Sequence, residues 1–183
     1  MGASVIFGLA LLWGYAEATL FFLVPDILIS IVAIRSGWRR AVVCAIVAAL
    51  GAALGGLTLY VWAVAAPDAA RAAVAAVPAI DMAMVERGDR SFADGGYGAM
   101  LRGAFAGVPY KIYAVAAGAQ QRPWLQFLLL SPLIRLPRFL LTVLLTTIGD
   151  RLAARWLATR GRLGALIGFW TILYAVYFST MPK

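Results

Sequence analysis

The stretch Tyr15-Ala16-Glu17-Ala18-Thr19-Leu20-Phe21-Phe22-Leu23-Val24-Pro25-Asp26 sets a proline and two carboxylates inside an apolar zone that runs from about Val5 to Ile34. The zone is too long for one untilted crossing of a bilayer. Pro25 also frees backbone groups that lipid cannot satisfy, and such backbone survives at depth only against protein or water. The reading is a re-entrant hairpin of two half-helices, each too short to span, meeting at Pro25. A second zone, from about Tyr97 to Gln121, repeats the pattern. Leu23-Val24-Pro25-Asp26-Ile27-Leu28-Ile29 can be laid on Gly107-Val108-Pro109-Tyr110-Lys111-Ile112-Tyr113, which makes Gly107 and Pro109 the second break.

Both hairpins are followed by basic punctuation and a long apolar run. Arg35, Arg39 and Arg40 precede the run Ala41 to Ala66, which is long enough to cross a core of ~30 Å at ~1.5 Å per residue. Gly51, Gly55 and Gly56 lie in it, either as a face for close helix packing or as the ordinary small-residue content of such helices. The run Trp124 to Ile148 follows the second hairpin, and Pro132, Arg135, Pro137 and Arg138 interrupt it, which reads as a broken, buried helix. Interrupted segments at corresponding places in two halves point to an inverted-repeat transporter. The expected architecture is therefore an all-α integral membrane protein with one membrane domain over residues 1–183. Residues 1–66 form the first repeat, 67–97 a polar extracytoplasmic segment, 98–150 the second repeat and 163–181 an extra C-terminal spanning helix.

Composition agrees with lipid as the solvent. Hydrophobic residues make up 63% of the chain, against roughly 45–50% in soluble domains, and the mean hydropathy is +0.88. A water-soluble fold of this size has too much surface for its volume to hide that excess. The net charge of +8 would point to nucleic acid in a soluble protein. Here it reads as arginines at anionic headgroups and in inward-facing loops, with no nucleic-acid partner. The basic loops at Arg35–Arg40 and Arg151–Arg162 belong inside, and the segment 67–97, where five acids face Arg71, Arg87 and Arg90, belongs outside. Ile80, Met84 and Val85 share a helical face there, consistent with a short interfacial helix or an ordinary solvated one. The amino-terminal apolar run has no basic region before it and no cleavage site after it, so no removable signal peptide is expected.

The chain has no histidine and one cysteine, Cys44, which reads as a small packing residue. No histidine base, zinc site or internal disulfide can be built, and no nucleotide-binding glycine loop or nucleophile elbow is present. Neither enzyme activity, nor a cofactor, nor a metal is expected. The residues left to carry chemistry are the charges in apolar context. Glu17 and Asp26 are costly at depth unless paired or wet, which marks them as candidate proton-coupling groups. Asp26, directly after the break, would equally serve to cap a half-helix. Lys111, Arg135, Arg138 and Arg102 are candidates for holding a phosphate, by planar fork or by point charge. They could instead neutralise the two acids, and Arg102 could simply snorkel to the interface.

Glu17-Ala-Thr-Leu-Phe-Phe-Leu-Val-Pro25-Asp26 resembles the first hairpin of the DedA family, also called the VTT-domain or SNARE-associated Golgi protein group. Phe105-Ala-Gly-Val-Pro109-Tyr-Lys111-Ile-Tyr-Ala-Val-Ala-Ala-Gly118 resembles its second hairpin, most closely in the YqaA-like branch, and the resemblance covers most of residues 5–148. It implies an inverted-repeat fold and a proton-linked flippase or scramblase of anionic lipids, either phospholipid or polyprenyl-phosphate carriers. By motif position, Glu17 and Asp26 would be the acidic pair, and Lys111 would replace the second of two hairpin arginines. The first has no counterpart, since Ala106 and Gly107 stand in its neighbourhood, and the Glu-to-Asp spacing is shorter than usual. The implied partners are membrane lipids and protons, with a homo-oligomer left open, and the implied location is a bacterial inner membrane. Two other functions stay open: a non-transporting membrane organiser whose buried charges are structural, and a small-cation exporter.

Overall fold

The computed structural model describes residues 2–180, and within them every regular element is a helix. In chain order these are α1 (Ala3–Ala18), α2 (Asp26–Ser36), α3 (Trp38–Ala65), α4 (Pro67–Ala75), α5 (Met82–Ala106), α6 (Tyr110–Ala119), α7 (Trp124–Ala153) and α8 (Thr159–Thr180). Three of them, α3, α7 and α8, are long and apolar enough to cross a membrane. Large apolar side chains are exposed along them, including Val61, Leu133, Leu145 and Ile172. In water such continuous apolar surface would be a liability, whereas hydrocarbon is its natural contact. The protein is a membrane protein built from helices.

α3 is the central strut, packing on α1, α2, α6 and α7. Its glycines explain how. A side-chain carbon added at Gly51 would collide with the carbonyl oxygen of Leu11, and one at Gly55 with that of Tyr15. From the other side, Gly14 of α1 meets the backbone of Ala48 in the same way. The two backbones touch, so here the small-residue face is a packing device. Cys44 is fully buried in this seam, among Ala41, Ala45 and Ala48.

Two apolar clusters give the direction of each helix. One holds Cys44 and Ala45 of α3 with Ile6 of α1 and Phe139 and Val143 of α7. The other holds Leu59 and Tyr60 of α3 with Ala18 of α1 and Phe127 of α7. So α1 runs with α3 and α7 runs against it. The antiparallel pair brings Arg39 and Arg40 to the same end of the molecule as Arg151. α4 and the start of α5 lie at the opposite end, where Val74, Val85 and Phe92 join the second cluster.

Chain breaks fall at Pro25, Gly107 and Pro109. α1 ends at Ala18, residues 19–25 are irregular, and α2 begins directly after the buried Pro25. α5 is closed by Gly107 at φ 80°, a left-handed position that suits glycine, and Pro109 precedes α6. At 16, 11 and 10 residues, α1, α2 and α6 extend only ~24, ~17 and ~15 Å at ~1.5 Å per residue. Each falls short of a ~30 Å hydrocarbon core.

Several sequence expectations need correction. α7 is not broken, since it continues through Pro132 and Pro137 as a single helix of 30 residues. Each proline removes one backbone donor, and the rest of the ladder and the packing against α2, α3 and α5 keep the helix whole. The segment around Ile80 to Val85 is neither a lone interfacial helix nor a solvated one. Ile80 and Val85 are buried in the core, and Ile112 of α6 presses on Gly88. α5 is two helical stretches joined at Gly96, whose φ of 53° is not helical, and this break falls beside the expected end of the polar segment at 97. The last helix starts at Thr159, a turn before Leu163, and Met181 lies outside the described residues.

Candidate functional site

The two breaks sit against each other beside the middle of α3. Ala18 packs at Gly55 and the Tyr110 ring covers Gly56, one residue further on. Between them lies a cavity of about 410 Å³, lined by Glu17, Asp26, Lys111, Arg135 and Arg138 on its polar side. Its apolar side comes from the loop at Val77 and Ile80, from Met100 and Ile134, and from Trp170 and Tyr174 of α8.

The irregular segment 19–25 is held by side chains from three helices. Trp13 Nε1 donates to the Leu23 carbonyl at 2.9 Å. Lys111 Nζ donates to the Phe21 carbonyl at 2.7 Å. The Val24 amide donates to the Tyr174 hydroxyl at 2.9 Å. Thr19 turns back on its own helix, its hydroxyl donating to the Ala16 carbonyl at 2.8 Å. Freed backbone groups thus find protein partners, the condition for non-helical backbone away from water.

α7 supplies the cations. Ser131, Arg135, Arg138 and Thr142 follow one another at steps of four, three and four, which places them on one helical face. Arg135 donates from a terminal nitrogen to Glu17 Oε2, and both side chains are more than nine-tenths buried. Its guanidinium carbon lies 4.3 Å from the centre of the Tyr110 ring. Arg138 donates to Asp26 Oδ2 at 2.7 Å, and the Thr142 hydroxyl donates to Asp26 Oδ1 at 2.6 Å. The Tyr110 hydroxyl donates to Ser131 Oγ at 2.9 Å. Asp26 makes no capping bond to α2 and spends both oxygens on α7.

Of the six charged residues singled out in the sequence, five therefore meet at the cavity. Arg102 does not, being exposed on α5, where its guanidinium lies beside Gly95 and Gly98. Ser131, Thr142, Tyr110 and Tyr174 are site residues that the sequence does not single out. The α7 pair is legible as a polar stripe at helical spacing, once the helix is read through its prolines. Nothing in the sequence assigns Tyr110 or Tyr174 to the site.

The charges do not cancel. Three cations face two carboxylates, leaving one formal positive charge in excess. Among the described residues, Lys111 hydrogen-bonds only to a backbone carbonyl and pairs with neither acid. Arg135 and Arg138 each give one terminal nitrogen to an acid, where a two-pronged grip is available to a guanidinium. Arg135 Nε is buried with no hydrogen-bond partner among the described residues. Buried donors without acceptors are expensive. The chemistry on offer is anion binding next to two carboxylates.

Fold and cavity define the class, a helical membrane protein with a charged, part-enclosed cavity between two broken helical segments. No family model matches the chain, and no curated protein or solved structure is similar to it.

Proposed function

We propose that the protein is a transporter or scramblase that moves an anionic lipid headgroup through the cavity between its two hairpins. The observation that carries this is the excess cation. Lys111, Arg135 and Arg138 surround a cavity with one positive charge more than Glu17 and Asp26 compensate. A structural ion-pair network has no need of the extra charge, whereas a site for a phosphate does. The resemblance of both hairpins to those of the DedA family points the same way, as does the meeting of the two breaks at mid-helix α3. In this reading each break is the tip of a re-entrant hairpin, and the two hairpins enter from opposite faces in an inverted repeat. The basic ends of α3 and α7 lie inside a bacterial inner membrane, and α4 with the first part of α5 lies outside.

The cycle follows from the pairs. With both carboxylates ionised, Arg135 and Arg138 are held by Glu17 and Asp26. A phosphate competes for the same nitrogens, assisted by Lys111. Proton uptake by Glu17 or Asp26 weakens the pair and hands the arginine to the phosphate. Proton loss restores the pair and expels the anion, which couples lipid release to the proton gradient.

A non-transporting organiser is the second reading, favoured by the fact that both acids are already paired. A small-cation exporter fits less well, because a cavity with net positive charge repels its cargo. The deciding experiment reconstitutes the protein in liposomes and follows bilayer crossing of a fluorescent anionic phospholipid. Lys111→Ala should abolish crossing while the protein remains folded. Crossing at the wild-type rate in that variant would remove Lys111 and the excess charge from the mechanism, and no crossing in the wild type would leave the organiser standing.

A further inference from the structure

A second, shallower hollow of about 300 Å³ lies between α2 and α8. Its walls are apolar, with Ile27 and Ile31 on one side and Leu166 and Ile167 on the other. It shares two residues, Trp170 and Tyr174, with the charged cavity. Both also tie α8 to the first hairpin, while at its start Arg162 pairs with Asp150 of α7 at 2.6 Å. Trp170 Nε1 donates to Ser30 Oγ at 3.1 Å, and the Tyr174 hydroxyl accepts from the Val24 amide at 2.9 Å. α8 itself has no fully buried residue, and α2 is the helix it packs on. A charged chamber and a hydrocarbon-lined slot therefore lie on either side of one two-residue wall.

We propose that this slot takes the hydrocarbon chain of the same lipid whose singly charged phosphate sits in the cavity, with Trp170 and Tyr174 at the junction of head and tail. The proposal rests on reading the cavity as an anion site. It commits the protein to an amphiphile over a free anion, because a soluble phosphate would have no use for the slot. Charge supplies the attraction at one end, where the cations outnumber the carboxylates and meet a phosphodiester. Apolar lining supplies it at the other. The slot lies between α2 and α8, where Ile167 is exposed, which leaves the tail in contact with the surrounding bilayer while the headgroup is enclosed. Tyr174 and Trp170 are suited to the junction, each with an apolar ring and a polar tip.

The test uses the purified full chain in neutral detergent and a series of alkyl methyl phosphate diesters, from ethyl to dodecyl, alongside the alkanols of matching length. Binding is followed by titration calorimetry. The ethyl diester should bind in a Lys111-dependent manner. Affinity should then rise about fourfold for each added methylene, the increment expected for burying one, and level off once the slot is full. Ile31→Trp and, independently, Ile167→Trp on the exposed face of α8 fill the slot. Both should flatten the rise and leave ethyl diester affinity unchanged. An unchanged rise in both variants, or an equal rise for the alkanols, overturns the slot. Failure of the ethyl diester to bind at all is a different result, which removes the anion site and the proposal with it.

Discussion

Lys111 on α6 reaches across the junction of the two breaks and donates a 2.7 Å hydrogen bond to the carbonyl of Phe21. One bond joins the segment after α1 to the first turn of α6, and it leaves the ammonium without a carboxylate partner among the described residues. The residue is thus both a tie between halves and the source of the excess charge. Those roles separate on substitution. Lys111→Met keeps the apolar stem and loses one charge-assisted bond, worth about 1.5–3 kcal/mol, so the melting temperature in detergent should fall by several degrees. Phosphate-diester binding should vanish. Lys111→Arg keeps the charge with a different geometry and should restore part of the binding. Retained binding in Lys111→Met would show that the arginines suffice.

Glu17 and Arg135 form the most deeply buried ion pair among the described residues. Removing one member of such a pair costs about 3–5 kcal/mol, since the survivor is left charged in a dry setting. Glu17→Leu should therefore fold poorly or melt far below the wild type. Glu17→Gln is different, because its amide oxygen can still accept from Arg135, much as a protonated glutamate does. It should remain folded, with proton-coupled transport lost and anion binding retained. Asp26→Asn should behave likewise through Arg138 and Thr142. The measurement is thermal unfolding beside liposome flipping for each variant. Equal collapse of the Gln and Leu variants would assign Glu17 a structural role only.

Much of this site is legible in the amino-acid sequence, and the reasons are local. Proline and a left-handed glycine act on the backbone where they stand, so Pro25, Pro109 and Gly107 mark the breaks by themselves. Charge at depth is similarly conspicuous. What a sequence does not disclose is partnership. Arg102 and Arg135 look alike in apolar context, and only the register on α7 turns Arg135 inward beside Ser131 while Arg102 stays exposed on α5. The prolines of α7 mislead because their local effect is outweighed by packing against the neighbouring helices, which keeps the helix whole. The face at Ile80 and Val85 is amphipathic in sequence, but its cover is α6 and the core, neither lipid nor water.

Backbone contact at the α3 glycines sets a sharp contrast among substitutions. At Gly51 and Gly55 an added methyl would overlap a carbonyl oxygen of α1, so α1 must move away. Gly51→Ala should cost about 1–3 kcal/mol, the usual range for overpacking, and Gly51→Leu should prevent assembly of α1 on α3. Gly149 on α7 has nothing near its missing methyl. There Gly149→Ala should be neutral or stabilise by up to about 1 kcal/mol through helix propensity. Melting curves in one detergent test all three. Similar losses at Gly51 and Gly149 would mean that helix propensity, and not contact, governs both.

Orientation in the bilayer follows from the ends of α3. Its first residues carry Arg39 and Arg40, and the antiparallel α7 brings Arg151 to the same end, with Arg155 and Arg160 just beyond. Its last residues lead into α4, where Asp68 is almost fully exposed and Arg71 is shared between Asp68 and Asp89. Loops rich in arginine stay on the cytoplasmic side, while acidic residues have little influence. Asp68 should therefore lie outside and Arg155 inside. Cys44→Ala removes the one native thiol, which is fully buried. Asp68→Cys and Arg155→Cys, each in that background, then report the two ends. In intact cells a membrane-impermeant maleimide should label the first and spare the second until the membrane is permeabilised. Labelling of both from one side would place the two ends of α3 on the same face, which a helix of 28 residues spanning the core does not allow, and would remove the inverted-repeat reading along with it.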